Sequence, residues 1–205
     1  MADQDPSELH LPAEPPPDKD PSVEETDPDG NVTLLIEGQS RARFLVSSKI
    51  LSMASPVFAR LFGQRFYEGT QMANLSCPTI PLHEDDPVAM RIIIRILHYQ
   101  EPEQGVSVDA ETLAKISIHC DKYDCVKALN PWVFKWFSEL QHITTVEEHG
   151  YLLLAAHLFR SAEQFSTVSI KAQTQLPCMF IARWEKVHMM DLLPDGVQNY
   201  LMIDS

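Results

Sequence analysis

Basic residues are scarce in this 205-residue chain: 16 Lys and Arg stand against 29 Asp and Glu, a formal net charge of −13. Binding to nucleic acid needs a basic stripe that displaces counterions from phosphates. Docking on an anionic membrane surface needs one as well. Neither function is expected. Long apolar runs are also missing. The densest, residues 151–159, is about half of the roughly 20 residues that span a bilayer and carries His157. Only seven glycines are present, and the tight backbone approaches that cradle phosphates are hard to build from so few. No glycine-rich phosphate loop, G-x-S-x-G elbow or H-E-x-x-H motif occurs. Four cysteines (Cys77, Cys120, Cys125 and Cys178) are too few and too scattered for a disulfide scaffold. The N-terminus shows no basic segment followed by an apolar one, so no secretory signal is read. The cysteines are therefore expected to be reduced thiols of an intracellular protein, cytoplasmic or nuclear.

What is present is unevenly spread. Residues 1–30 hold ten acids against Lys19, seven of the fifteen prolines and no aromatic residue. Such a segment buries too little apolar surface to offset chain entropy. Residues 1–28 are therefore expected to form a disordered acidic, proline-rich tail. Residues 31–205 carry nineteen acids and fifteen bases, a net of −4, and with 44% hydrophobic residues overall the remainder reads as globular.

The turn chemistry of Asp27-Pro28-Asp29-Gly30 marks where order should begin. Val32 to Glu37 and Arg41 to Val46, separated by Gly38-Gln39-Ser40, predict a hairpin with one buried face. Ile50, Leu51, Met53 and Ala54 fit a short helix. Ser55-Pro56 restarts the chain as a cap with proline at the first helical position. Residues 64–78 read as a loop and Thr79 to Leu82 as a short edge strand. Asp86-Pro87 opens the strongest helix, in which Val88, Ala89, Ile92, Ile93, Ile96 and Leu97 form the apolar stripe, with Arg91, Arg95 and His98 opposite. Gly105 to Val108 reads as extended. Asp109 then caps a helix with Leu113, Ile116, Cys120 and Tyr123 inward and Lys115, His119 and Lys122 outward. Asn130-Pro131 suggests a fresh start. Thr145 to Glu148 and Ser161 to Gln164 have capping-box spacing, and residues 180–190 suggest a last helix. The order predicts an α+β fold: a small sheet with packed helices, followed by helices only.

No reactive constellation emerges from these elements. Cys120-x4-Cys125 lacks the paired short spacings of a structural zinc site, and His119 and Cys120 diverge as neighbours on a helix. Neither a metal nor a cofactor is expected. Glu84-Asp85-Asp86 directly precedes a helix, where carboxylates cap free amides and complement the dipole. Trp132 and Trp136 share a helical face and read as core. A profile rich in buried apolar positions and poor in reactive ones fits a non-enzymatic interaction module. The reading from another class is a thiol-dependent enzyme or redox protein using Cys120 or Cys125, which requires a low-pKa, accessible cysteine.

The stretch Phe44-Leu45-Val46-Ser47-Ser48-Lys49-Ile50-Leu51-Ser52-Met53-Ala54-Ser55-Pro56-Val57-Phe58 resembles the signature of the BTB/POZ family, a strand running into a helix and then an S-P-x-F start. Val32 to Ile36 resembles that family's first strand, Asp85-Asp86-Pro87 the opening of its Ile-rich helix, and Cys120-Asp121-Lys122-Tyr123-Asp124 its A-D-K-Y segment. The whole chain is similar to small fungal BTB proteins without a Kelch, zinc-finger or ankyrin domain. The resemblance implies a BTB/POZ domain over residues 29–140 and an all-α C-terminal extension over 141–205. It further implies protein partners, self-association as a homodimer in many members, and in many members adaptor service between a cullin and a ubiquitylation substrate. The acidic proline-rich tail offers no amphipathic helix for the swapped dimers of the family, which leaves a monomer like the cullin-linker proteins open. Phe66-Tyr67-Glu68 stands where those members carry a hydrophobic-x-Glu cullin contact. Asn31 and Ser47-Ser48 replace the family's strand aspartate and histidine–basic pair, so the charged pocket of BTB transcription regulators is not expected.

Overall fold

The computed structural model describes residues 21–101, 107–177, 180–184, 186–194 and 196–197. Four strands form one sheet: β1 (Val23–Glu25), β2 (Val32–Glu37), β3 (Arg41–Val46) and β4 (Thr79–His83). Their order is β1-β3-β2-β4, with β2 and β3 antiparallel and both outer strands parallel to their neighbours. The hairpin register pairs Val32 with Val46 and Glu37 with Arg41. That register sends Val32, Leu34, Ile36, Ala42, Phe44 and Val46 to one face, where all are buried.

Helices α1 (Ser48–Ala54), α2 (Pro56–Leu61) and α3 (Tyr67–Asn74) lie between β3 and β4. Helix α4 (Pro87–Leu97) enters the core, with Ala89, Met90, Ile93 and Ile94 fully buried. Its start is fixed by Asp86, whose Oδ1 accepts from the amides of Val88 and Ala89 at 3.0 and 2.9 Å, an N-cap worth about 1 kcal/mol. Helices α5 (Ala110–Lys122) and α6 (Val126–Glu139) complete the part that resembles the family. Ser55 ties the early and late segments together. Its hydroxyl caps α2 by accepting from Phe58 N and donates to the Tyr123 carbonyl at 2.5 Å, while the Phe58 and Tyr123 rings stack at 4.6 Å.

Beyond residue 140 follow α7 (Val146–Leu158), α8 (Ala162–Gln175), α9 (Ile181–Trp184) and a 3-10 turn (His188–Leu192). Helix α7 is apolar on most sides; Leu152, Leu153, Leu154, Ala155 and Ala156 are all buried, as expected of a helix enclosed by others. It packs on α5 and α8, and Thr145 with Glu148 forms the capping box at its start. The buried Trp184 indole donates to the Val146 carbonyl at 2.7 Å, and Gly150 makes room for that ring: a Cβ there would lie 2.7 Å from Trp184 Nε1. One continuous hydrophobic cluster runs from β2 to the last turn.

Several expectations are corrected. Order begins before residue 29, because Val23–Glu25 joins the sheet; its stability comes from distant partners described below. Residues 67–74 are helical, not loop. His98 and His119 are buried at 9% and 5% exposure instead of facing water, since α1 and the β4–α4 turn bring backbone amides onto their rings. Pro131 lies inside a continuous α6. Ser161 sits at the α8 N-cap without a side-chain bond. The segment 180–190 splits into a one-turn helix and a 3-10 turn. Residues 1–20, the Gly105-Val106 part of the extended piece, and Cys178 lie outside the described residues.

Candidate functional site

Helix α3 presents the Phe66-Tyr67-Glu68 triplet. Phe66 is its N-cap residue in extended conformation, and its carbonyl accepts from Thr70 N at 3.1 Å. Phe66 is half exposed and Tyr67 is 74% exposed, while Glu68 sits in the first turn, where a carboxylate complements the helix dipole. Gly69 sets the position of the whole helix: a Cβ there would fall 1.9 Å from the Gly63 carbonyl oxygen. An aromatic pair and a carboxylate are thus displayed together on an anchored helix.

A second surface lies where α1, α4 and α6 meet. Ile50, Met53, Ala54, Ile96, Leu97, Tyr99 and Ala128 line a cleft of about 330 Å³. Met53 and Tyr99 stand out of it at 79% and 93% exposure. Tyr99 follows the end of α4 with φ at +59°, a left-handed conformation that costs a non-glycine residue of order 1–3 kcal/mol. Beneath this surface the buried His98 ring accepts from Ser47 N through Nε2 at 3.1 Å and donates from Nδ1 to the Ile94 carbonyl at 2.8 Å. Burial pushes its pKa below the usual 6.5, outweighing the bond to Ile94. The neutral ring thereby ties the start of α1 to the end of α4.

The remaining polar cluster is internal. The Asp85 carboxylate is fully buried; Tyr123 Oη donates to it, Lys122 Nζ donates at 2.6 Å, and His119 Nδ1 lies 3.3 Å away. The other His119 nitrogen accepts from Asp86 N at 2.9 Å. Burial alone would raise the Asp85 pKa, but its contacts with His119, Lys122 and Tyr123 hold it below the ordinary carboxyl value. Burial and the bond to Asp85 push the Tyr123 phenol well above its ordinary value. Of the three acids 84–86, Asp86 caps α4 as expected, whereas Asp85 is a core clamp. His119 Nδ1 makes no hydrogen bond of good geometry despite its burial, and the cluster joins the β4–α4 turn to the end of α5.

The sequence model of the BTB/POZ domain family matches residues 25–130, more than half of the chain. The chain belongs to the BTB/POZ domain family. Among curated proteins, none matches it. The BTB/POZ domain is a protein-interaction module, so the general role of this core is protein binding, in a family that is generally non-enzymatic. The signature residues gain a physical meaning within it: Ser55 and Phe58 of the S-P-x-F start grip Tyr123 of the A-D-K-Y segment, and Tyr123 in turn holds Asp85.

Where the BTB/POZ charged pocket would lie, Asn31 and Ser48 pair as neutral groups. Asn31 Nδ2 donates to Ser48 Oγ at 3.0 Å and Asn31 Oδ1 accepts from Ser48 N at 2.9 Å. Cys120 and Cys125 lack the accessibility that the thiol-enzyme reading requires. Cys120 and Cys125 are buried at 0% and 1% exposure, and desolvation pushes the Cys120 thiol up, away from the thiolate a nucleophile needs. Among the described residues no cluster of His, Cys, Asp and Glu could hold a metal ion, and no helix is long and apolar enough to cross a membrane. The triplet on α3 was readable from the family pattern. The Met53–Tyr99 surface was not, because its members are separated in sequence and carry no spacing signal.

Proposed function

We propose that this BTB/POZ protein is a recruitment module that self-associates through the Met53–Tyr99 face. The observation that carries this reading is a large aromatic side chain held in a strained backbone conformation and left almost wholly exposed beside an apolar cleft. Exposed apolar patches on folded proteins mark interaction sites, and an aromatic anchor is the residue type that dominates such contacts. Sedimentation of the full chain tests it: the wild type is expected to form dimers that Met53→Asp with Tyr99→Ala converts to monomers. A wild-type monomer at all concentrations refutes it.

A second reading, adaptor service in a cullin-based ubiquitin ligase, is favoured by the exposure of Phe66 and Tyr67 beside Glu68. The aromatic supplies buried area and the carboxylate sets register. Binding to a cullin N-terminal domain should be lost in Phe66→Ala with Glu68→Ala; unchanged binding removes the assignment. In both readings the helices beyond residue 140 widen the docking surface. Support comes from a cleft of about 420 Å³ lined by Val133, Phe134, Phe159 and Arg160, in which Phe134 is 69% exposed. Affinity with the small fungal members of the family belongs to the same proposal and rests on those continuing helices.

A further inference from the structure

Strand β1 is held by charge where the rest of the sheet is held by apolar burial. Its three residues pair with β3 in the register Val23 to Arg43, Glu24 to Phe44 and Glu25 to Leu45. None of the three is buried: Val23 is 45% exposed, Glu25 is exposed and Glu24 is intermediate. What seats the strand is Glu24. Its Oε2 accepts from Arg91 Nε at 2.7 Å and its Oε1 lies 3.7 Å from Arg95 Nη1. Both arginines project from α4, four residues apart, and the Arg91 guanidinium lies 5.6 Å above the Phe44 ring. Just downstream, Gln100 Nε2 donates to the Thr26 carbonyl at 2.7 Å. The receiving surface is thus prebuilt from the parent fold: a sheet edge offering main-chain groups, an aromatic floor and two guanidinium groups aimed at the side chain opposite Phe44.

Such a surface reads an extended segment with a carboxylate at the middle position, and it reads it through main-chain pairing and ion pairs. These are the contacts of strand addition, in which backbone bonds supply affinity and side-chain seats supply specificity. A bidentate-capable guanidinium is the natural partner for a carboxylate. A three-residue strand with no buried side chain is the part of the sheet with the least to keep it in place. We infer that the β3 edge with Arg91 and Arg95 is an acceptor site for an acidic extended segment of a partner protein, which the chain's own Val23–Glu25 occupies as an exchangeable plug. The charge complementarity of the seat commits it to acidic segments.

The test uses the full chain and a fluorescent synthetic peptide with the sequence of residues 21–27. Glu24→Lys removes the plug's anchor and leaves the acceptor intact. Anisotropy should show the peptide binding the Glu24→Lys chain at least tenfold more tightly than the wild type. Binding should weaken with added salt and be lost when Arg91→Gln is added to Glu24→Lys. Equal affinity for wild type and Glu24→Lys, or indifference to Arg91→Gln, overturns the proposal. Hydrogen exchange of the wild type keeps the test open should Glu24→Lys misfold: excess peptide should accelerate exchange in residues 21–27 while residues 41–46 stay protected, and unchanged exchange also overturns it. If Glu24→Lys and Arg91→Glu chains, each also carrying Met53→Asp with Tyr99→Ala so that it is monomeric alone, form a mixed dimer, the seat takes a second copy and the partner assignment falls.

Discussion

Asp85→Asn is the sharpest single test of how the motifs hold together. The change is nearly isosteric, so it removes charge without opening a cavity. Removing one partner of a buried ion pair costs about 3–5 kcal/mol. Lys122 is 43% exposed and can turn to water, so the lower end, about 3 kcal/mol, is expected. At roughly 2–4 °C per kcal/mol for a chain of this size, the Tm should fall by roughly 6–12 °C. Asp86→Asn is the matched control. Asn caps a helix as well as Asp does, and the 3.6 Å contact of Asp86 with Lys115 is a partly exposed pair worth at most about 1 kcal/mol. Urea unfolding at pH 7 followed by circular dichroism measures both variants. Equal, small losses at 85 and 86 would mean that both acids act as caps and would refute the clamp. The pH profile adds a second check. The Asp85 pKa is lowered on folding, so its stabilisation is complete above the ordinary carboxyl value and is lost as pH falls through that value towards the lowered one. Asp85→Asn should lack that acid loss.

Other perturbations have equally definite outcomes. Gly150→Ala gains up to about 1 kcal/mol of helix propensity but drives a methyl into the Trp184 indole; a net loss of about 1–3 kcal/mol should show in thermal melts, with a change in tryptophan emission. The neutral His98 ring has a pKa held below 6.5 by burial, so the unfolded chain takes up its proton first. Stability should be intact above 6.5 and fall below it, by at most about 1.4 kcal/mol per pH unit for this one proton. In urea midpoints compared at pH 7.5 and 5.0, His98→Gln should remove that part of the slope. Peptide mapping after iodoacetamide treatment of the native protein should find Cys77 alkylated and Cys120 and Cys125 protected until denaturant is added.

The parts of the fold that were legible are those whose chemistry is local. The hairpin follows from alternation around Gly38-Gln39-Ser40, and the starts of α2, α4 and α7 follow from Ser55, Asp86 and Thr145. What escaped depends on residues far apart. Strand β1 reads as an acidic tail because Glu24 finds Arg91 67 residues later. Helix α3 has weak amphipathic patterning, and its placement depends on the fit of Gly69 against Gly63. His119 falls on the polar side of α5 by periodicity, yet the β4–α4 turn closes on its ring through Asp85 and Asp86, while Lys115 and Lys122 on the same side stay partly exposed. Asp85 is indistinguishable from its acidic neighbours until Tyr123 arrives. The α3 triplet was legible only through the family pattern, and the Met53–Tyr99 surface needed three helices brought together.

The enclosure of α7 has a consequence for the order of events on the ribosome. Helix α5 is complete by residue 122, but the helix that shields it begins at Val146. At about 5–20 residues per second, the nascent chain exposes an unshielded apolar flank for seconds before α7 emerges. Transiently exposed apolar surface of this kind promotes aggregation, so a chain ending within that interval is expected to aggregate more readily than the full-length protein.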